Sequence, residues 1–295
     1  MSLFNGDLTT PQRVAMWLPS PPALPSPILS MLVTSASNQI RSKLNRNVIY
    51  SRLVNQTLGG TGNDVILLPE YPVSSISSLQ VGHSLVNAYP LPAPTSLAPP
   101  NTFGYGYRFT PWDGVTLPGD PAMIKFVHGG FPYGEQNIKV SYMAGYGITN
   151  EAQVAAAQVT VAQPLGIWCR DNGVVYATTG LPLTAVATSP AIGQYVPPTD
   201  TQPGIYTFSA ADAAANAALL ISYSFVPADL EQAVIHMVAE TMSYRGRVGE
   251  ISKSLGGQES VRFWRGDKGM RIPPEIEALI HPYVSVIPPL IGSMV

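Results

Sequence analysis

Proline and glycine recur along the whole chain of 295 residues, with 29 prolines and 26 glycines. Because proline lacks a backbone N–H and both residues interrupt regular structure, they divide the chain into short segments. This pattern favours β-structure with many turns and few helices. Charged residues make up only 12% of the chain, about half the usual share, which suits a surface largely covered by partners. No apolar run reaches the about 18–20 residues that a membrane span needs.

Helix signals occur at three places. Ser26 followed by Pro27 is typical of an N-cap with proline at the first helical position, and apolar residues then recur at helical spacing. Pro227 is followed by Asp229 and Glu231, which suit the positive end of a helix dipole and are explained by it. The predicted helices span residues 27–45, 227–245 and 274–280, whereas the proline-rich residues 1–25 are predicted to form an extended arm.

Short apolar runs between turn residues predict strands in the rest of the chain. Residues 59–64 are predicted to form a turn, residues 87–120 long loops and residues 248–272 a glycine-rich loop. Residues 148–222 read as a separate small β-sandwich or barrel, with a helical turn at 209–213. The predicted strands include 48–50, 65–68, 73–81, 124–127, 138–142, 166–169, 174–176, 205–208 and 219–223.

The net charge of −2 conceals an uneven distribution. Residues 1–60 carry five basic groups and one acid, residues 61–240 carry four basic and twelve acidic groups, and residues 241–271 carry seven basic and three acidic groups. An acidic middle between two basic ends suits stacking on another charged ring or weak contact with nucleic acid. Two solvated basic faces explain the same pattern.

No catalytic or metal-binding motif is present, and we expect neither enzyme activity nor a cofactor. The chain has no serine elbow of the G-x-S-x-G type and no phosphate-binding P-loop. Cys169 is the single cysteine, so no internal disulfide forms, and we expect it to be a buried strand residue. His236 is expected at the edge of the core or in an interface. The four histidines, at 83, 128, 236 and 281, show no metal-ligand spacing.

An ordered series of short motifs carries a resemblance to a known family. The order and spacing of these motifs are more specific than any one of them. They are SASNQIR at 35–41, LNR at 44–46, VILLPEYPVSSI at 65–76, VSYMAGY at 140–146, VPADLEQAV at 226–234, YRGRVG at 244–249, SKSLGG at 252–257, PPEIEALI at 273–280 and PY at 282–283. The series resembles the head–tail connector (adaptor) proteins of long-tailed bacteriophages.

The resemblance implies an α+β fold, with a small helical core and a β element. It also implies a homo-oligomeric ring, commonly of twelve subunits, beneath the portal protein at one capsid vertex of the virion. Such a ring joins a tail-side connector or tail terminator protein, and packaged DNA passes through its lumen. Assembly is expected in the host cytoplasm, without contact to a membrane. The C-terminal segment, here roughly 248–295, is expected to reach the portal.

Candidate contact residues follow from that resemblance and from the mixture of cations and aromatics, which is enriched at protein interfaces. The portal-interface candidates are Lys253, Arg262, Phe263, Trp264, Arg265, Lys268 and Arg271. The candidates that face the lumen or DNA are Arg41, Lys43, Arg245 and Arg247.

The chain departs from the family at one place. In the family, the strand that resembles 139–147 runs almost directly into the second long helix, whereas about 75 residues intervene here. We therefore expect an inserted all-β domain. The expected units are an N-terminal arm at 1–25, a connector core at 26–147 and 223–284, the insert at 148–222 and a tail at 285–295.

Two alternatives remain at this stage. The insert is a candidate glycan- or receptor-binding module through Trp168, Tyr176 and Tyr195, or the basic C-terminal segment binds single-stranded nucleic acid by stacking. For the adaptor, we expect that deletion of 258–295 blocks portal attachment and leaves the subunit folded.

Overall fold

The structure is a computed structural model with an α+β fold, as expected from the sequence. Its helices and several separate sheets occupy different parts of the chain. Side chains are not described at 89–90, 106, 108–110, 127 and 244–245, nor in the two strands between 252 and 262. The structure describes residues 6–18, 27–82, 89–90, 106–110, 122–127, 129–162, 166–199, 202–245, 252–255, 259–262 and 272–285.

The predicted long helices are confirmed, since the chain is helical at α2, Pro27–Leu44, and at α4, Ala228–Arg245. The shorter helices α3, Ala210–Ala214, and α5, Pro274–Ile280, also follow the prediction, and a 3-10 turn at His281–Tyr283 continues α5.

The extended arm predicted for residues 1–25 is wrong where the structure describes it, because helix α1 spans Pro11–Trp17. Thr10 is its N-cap and accepts a hydrogen bond from the N–H of Arg13, while Pro11 takes the first helical position. Val14 on this helix is fully buried. Burial of one face and a well-formed cap therefore outweigh the proline-rich context.

The first half of the chain forms two sheets that enclose one apolar cluster. One sheet has the strand order β1-β7-β3-β4 and the other the order β2-β6-β5, and all pairs are antiparallel. Their strands are β1 Arg52–Gly60, β2 Val65–Leu68, β3 Val73–Val81, β4 Tyr89–Pro90, β5 Gly106–Thr110, β6 Ala122–Val127 and β7 Gly134–Ala144.

The second half forms two further sheets and a separate hairpin. Their orders are β10-β14-β8 and β11-β12-β13-β9, and only the pair β11–β12 is parallel among the described pairs. The strands are β8 Gly147–Val154, β9 Gln158–Thr160, β10 Gly166–Tyr176, β11 Thr184–Ala185, β12 Gln194–Val196, β13 Ile205–Phe208, β14 Ala218–Pro227, β15 Ser252–Leu255 and β16 Glu259–Arg262.

Four predictions for strands, turns and loops are corrected. Residues 48–50 form no strand beyond a single bridge at Tyr50; instead β1 follows and includes Gly59 and Gly60, which the sequence assigned to a turn. A Cβ atom at Gly60 would lie 1.9 Å from the carbonyl oxygen of Pro132, so the close approach of two backbones requires glycine there. Strand β5 lies within the predicted long loops, and β15 and β16 pair within the predicted loop 248–272.

Buried apolar residues form three clusters. One joins α1, α2, α4 and α5 with Ile167, Cys169, Phe225 and Val226, which we call the helical core. The second lies between the two sheets of the first half, and the third lies inside residues 148–223. Cys169 is confirmed as a buried strand residue.

The predicted insert begins and ends on neighbouring strands. Gly147 at the start of β8 is the register partner of Ser224 on β14, and Ile148 is that of Tyr223. Strand β14 then runs directly into α4. The segment from 148 to 222 thus leaves and rejoins the rest of the chain at one place.

Candidate assembly site

The start of α4 is fixed to the N-terminal helix by a buried carboxylate. Glu231 accepts a hydrogen bond from the hydroxyl of Thr9 at 3.0 Å and a bidentate pair of bonds from the guanidinium of Arg13. Bidentate charge-assisted pairs are among the strongest hydrogen bonds in proteins. The helix dipole alone, as expected from the sequence, therefore does not account for Glu231.

Residues 272–285, which we call the return segment, pack back onto the helical core. Ile276, Ile280 and Tyr283 are buried there. The hydroxyl of Tyr283 donates a hydrogen bond of 3.0 Å to the carboxylate of Asp229 at the start of α4. The backbone N–H of Ser285 donates one of 2.8 Å to the carbonyl of Leu44 at the end of α2. The return segment is thus part of the core.

The packing of the return segment instead predicts that deletion of 258–295 destabilises the subunit, contrary to the expectation from the sequence that the subunit stays folded. That deletion removes three buried side chains and the partners of Asp229 and Leu44. The deletion also removes the Tyr283 carbonyl, which accepts a hydrogen bond from the buried Arg46. An unfilled cavity and a buried polar group without its partner are both strongly destabilising.

Arg46 joins the return segment to the β-structure of the first half. The residue is 2% exposed, and its guanidinium donates hydrogen bonds to the backbone carbonyls of Tyr71 and Tyr283 and to the hydroxyl of Tyr146. It also stacks over the ring of Tyr71, 3.9 Å from the ring centre. Burial raises the pKa of the neighbouring Glu70, whose carboxylate accepts a hydrogen bond from the N–H of Val48. Arg46 therefore holds α2, the sheets and the return segment together.

Between the end of α4 and the return segment lie residues 246–271, which we call the basic loop. It carries six basic and three acidic residues, whereas the whole chain has a net charge of −2. Its described part is the hairpin β15–β16, whose strands pair only with each other among the described strands. Both ends of the basic loop are thus held by the helical core.

The basic loop contains all seven portal-interface candidates. Lys253 lies on β15 opposite Val261, and Arg262 lies on β16 opposite Ser252. Phe263, Trp264, Arg265, Lys268 and Arg271 lie outside the described residues, so their contacts stay a prediction.

The four candidates for contact with the lumen or DNA lie in different settings. Lys43 on α2 forms an exposed ion pair of 2.8 Å with Glu277 on α5, which reduces its free charge. Arg41 is half-buried, and burial lowers its pKa while Tyr50 and Asp7 oppose that shift. Arg245 ends α4, its side chain is not described, and Arg247 lies outside the described residues. Their exposure to a lumen stays a prediction.

The aromatic residues proposed as a glycan platform in the insert are mostly core residues. Trp168 is 0% exposed and Tyr195 is 2% exposed, so neither offers a ring face to a sugar. The hydroxyls of Tyr195 and Tyr206 instead donate to the carboxylate of Asp171. Trp168 and Tyr195 therefore give no support to the binding-module alternative.

Tyr176, the third member of that group, is half-buried. Its hydroxyl donates a hydrogen bond of 2.8 Å to Asp212, which also accepts one from Ser209. Burial opposes ionisation of Asp212, but these bonds and one from the N–H of Gly193 outweigh it and lower its pKa. Much of the acidic middle predicted from the sequence thus serves internal contacts.

Exposed apolar side chains at the edge of the helical core were not found from the sequence. Met16, 81% exposed, and Trp17 end α1, while Ile28 and Met31 lie in the first turns of α2, and these two helices pack together. The ring of Trp17 lies 5.5 Å from that of His236 on α4. His236 is half-buried, which confirms its expected place at the edge of the core. Grouped exposed apolar residues are typical of protein contacts.

The part of the chain that the structure describes holds no cluster of side chains suited to a metal ion. None of its helices is long and apolar enough to cross a membrane. Burial raises the pKa of the Cys169 thiol, so this cysteine is not an activated nucleophile.

Comparison with solved structures gives a distant likeness. A solved structure described as the neck of an empty GTA particle, computed with C6 symmetry, matches over 97% of this chain and 94% of that chain, with 14% sequence identity and a TM-score of 0.41. No protein-family model and no curated protein matches the chain. A likeness at this level assigns no function.

Proposed function

We propose that this chain is a structural head–tail adaptor subunit, which forms a ring beneath a portal and joins a capsid to a tail with DNA passing through the lumen. It acts in the virion at the head–tail junction, after assembly in the host cytoplasm. Twelve subunits and a tail-side connector or tail terminator protein are part of the proposal. The protein is not an enzyme and needs no cofactor.

The motifs that carry the family resemblance support this proposal by where they lie in the fold. The segments 35–41, 226–234 and 273–280 are far apart in sequence, yet they meet in the helical core. A shared core made from these segments is what the resemblance requires of an adaptor.

The single observation that carries the proposal is that the basic loop is anchored at both ends. Arg245 ends a helix whose start is held by Glu231, and Tyr283 in the return segment is held by Asp229 and Arg46. Anchors at both ends hold this segment of cationic and aromatic residues at one place on the subunit. Reduced loss of conformational freedom on binding favours affinity for a partner ring.

Contact with DNA is a weaker part of the proposal. Lys43 shares its charge with Glu277, and Arg41 is half-buried. Few unpaired cations would neutralise few phosphates, so binding to free DNA should be weak and should vary little with salt.

Electron microscopy of the chain mixed with its portal protein tests the proposal. We expect a ring of subunits on the portal, at the face away from the capsid interior. The double variant Trp264→Ala, Arg265→Ala should reduce ring occupancy at least tenfold while its melting temperature stays unchanged.

A matched control removes one aromatic and one cation outside the basic loop. Tyr133 is 86% exposed and Arg170 is exposed, so Tyr133→Ala, Arg170→Ala should leave occupancy unchanged. A wild-type chain that stays monomeric and never joins the portal would sink the proposal.

A further inference from the structure

Strand β1 lies at the edge of its sheet, and none of the described strands pairs with its outer side. It occupies the outer position of the sheet β1-β7-β3-β4 and pairs with β7 from Arg52 to Gly60. Among the described residues, no other strand pairs with it. No charged residue and no proline occurs from Leu53 to Gly60, and the register is regular as far as Leu58. A long, uncharged, flat edge is a template for another strand.

The other edge strands of the described sheets are protected. Strands β2, β4, β9 and β11 have four residues or fewer. Strand β8 carries Glu151, β5 carries Arg108, and β10 carries Arg170 and Asp171 with two register shifts. Short length, charge and bulges are devices that block pairing between edges. Strand β1 carries Arg52 at its start and a register shift after Leu58, but its stretch from Leu53 to Leu58 has neither a charge nor a register shift. That stretch is the candidate for pairing with another strand.

We propose that β1 of one copy pairs with the hairpin β15–β16 of a second copy. The hairpin strands pair with no other strand in the described part of the chain, and two strands of four residues each are marginally stable in water without further support. Pairing of the hairpin with β1 would provide hydrogen-bond partners for the backbone groups at the edges of both elements. It would extend a four-stranded sheet to six strands across the contact.

Pairing between unlike elements is the form that a ring requires. If β1 paired antiparallel with β1 of a second copy, the contact would be two-fold symmetric and would stop at a dimer. A contact of β1 with the hairpin is head-to-tail, which gives a ring where the rotation between neighbouring copies closes. This inference rests on the proposed adaptor ring and names the surfaces that join its subunits.

The exposed surface of β1 suits this partner. Leu53 is 54% exposed and Asn55 is exposed, next to Ser141 on β7, and the exposed Lys139 lies beside Thr57 on the same face. The surface is thus polar, with one apolar side chain and one cation. The hairpin offers Ser254 and Ser260 as a facing pair. Since pairing uses the backbone, Lys253 remains available to the portal.

Covalent geometry permits the hairpin to reach a neighbour. Seven residue steps join Arg245 to Ser252, and ten join Arg262 to Ile272. Fully extended, these connections span at most roughly 25 Å and 35 Å. That reach is comparable with the diameter of a small domain.

A charge placed on the free edge tests the proposal, with a control on the strand beside it. Asn55→Lys should weaken ring formation at least tenfold in native mass spectrometry, while Ser141→Lys should leave it unchanged. The two residues are register partners in one sheet, but only Asn55 lies on a strand with a free edge. Equal loss in both variants, or in neither, would overturn the inference.

Cross-linking gives a second measurement that does not depend on a lysine variant. Because Cys169 is buried, introduced cysteines are the reactive ones. A short bifunctional maleimide should join Asn55→Cys chains to Ser254→Cys or Ser260→Cys chains when the two are mixed, and Ser141→Cys chains should not react in this way.

Cross-links within Asn55→Cys chains alone, or intact rings without β1–hairpin links, would overturn this inference and leave the adaptor ring standing. A wild-type chain that forms no ring with or without its portal would overturn the adaptor proposal and this contact with it.

Discussion

The basic loop and the return segment are adjacent in sequence, but only the return segment is seen to pack into the helical core. In the return segment, Ile276, Ile280 and Tyr283 are buried, and Ser285 is bonded to the end of α2. In the basic loop, the described hairpin pairs only with itself. The difference teaches that one C-terminal region, which the sequence presents as a single basic tail, contains both a structural element and a candidate docking element.

The largest test of this comparison removes each part in turn. Truncation after residue 271 should unfold the chain, because three buried side chains at about 2–5 kcal/mol each approach the whole stability of a domain. Replacement of 248–270 by a glycine–serine linker of equal length should leave the unfolding free energy within about 1 kcal/mol of wild type. Chemical denaturation followed by circular dichroism measures both. Similar losses of unfolding free energy in the two variants would refute the division into a structural return segment and a docking loop.

A smaller effect is expected where the return segment meets α4. Tyr283→Phe removes the hydroxyl that bonds to Asp229 and keeps the buried ring, so it should cost about 1 kcal/mol. Tyr133→Phe, which alters an exposed tyrosine, is the control and should cost nothing measurable. A loss of unfolding free energy as large as that of a cavity-forming variant would show that the aromatic ring at position 283 is displaced.

The helices of this core were predictable because their signals are local. Proline at the first helical position and apolar residues at helical spacing identify α2 and α4. Helix α1 was missed, although Thr10-Pro11 is itself a cap signal, because the neighbouring prolines suggested an extended arm. For α1, the local capping pattern indicates the structure better than the proline-rich composition around it.

The contacts that define the candidate site were not predictable, because they join distant residues. Arg13 and Glu231 are separated by 218 positions, and Arg46 and Tyr283 by 237. Strand β1 was missed because it contains asparagine, glutamine, threonine and glycine in place of an apolar run. Trp168 was misread because sequence alone does not separate a buried aromatic residue from an exposed one.

The smallest effect is expected at the exposed ion pair between α2 and α5. Lys43→Ala should change stability by less than about 1 kcal/mol, because both side chains of the pair with Glu277 are about half exposed and screened by water and salt. Thermal unfolding at low and high salt measures this change. A destabilisation above about 2 kcal/mol would mean that Lys43 contributes more to the return segment than an exposed pair allows.

Hydrogen–deuterium exchange on the free chain and on its complex with the portal tests the central claim most directly. The account predicts that residues 272–285 are already protected in the free chain, and that new protection on portal binding falls within 246–271. Rapid exchange of 272–285 in the free chain, or new protection confined to residues 148–222, would contradict it.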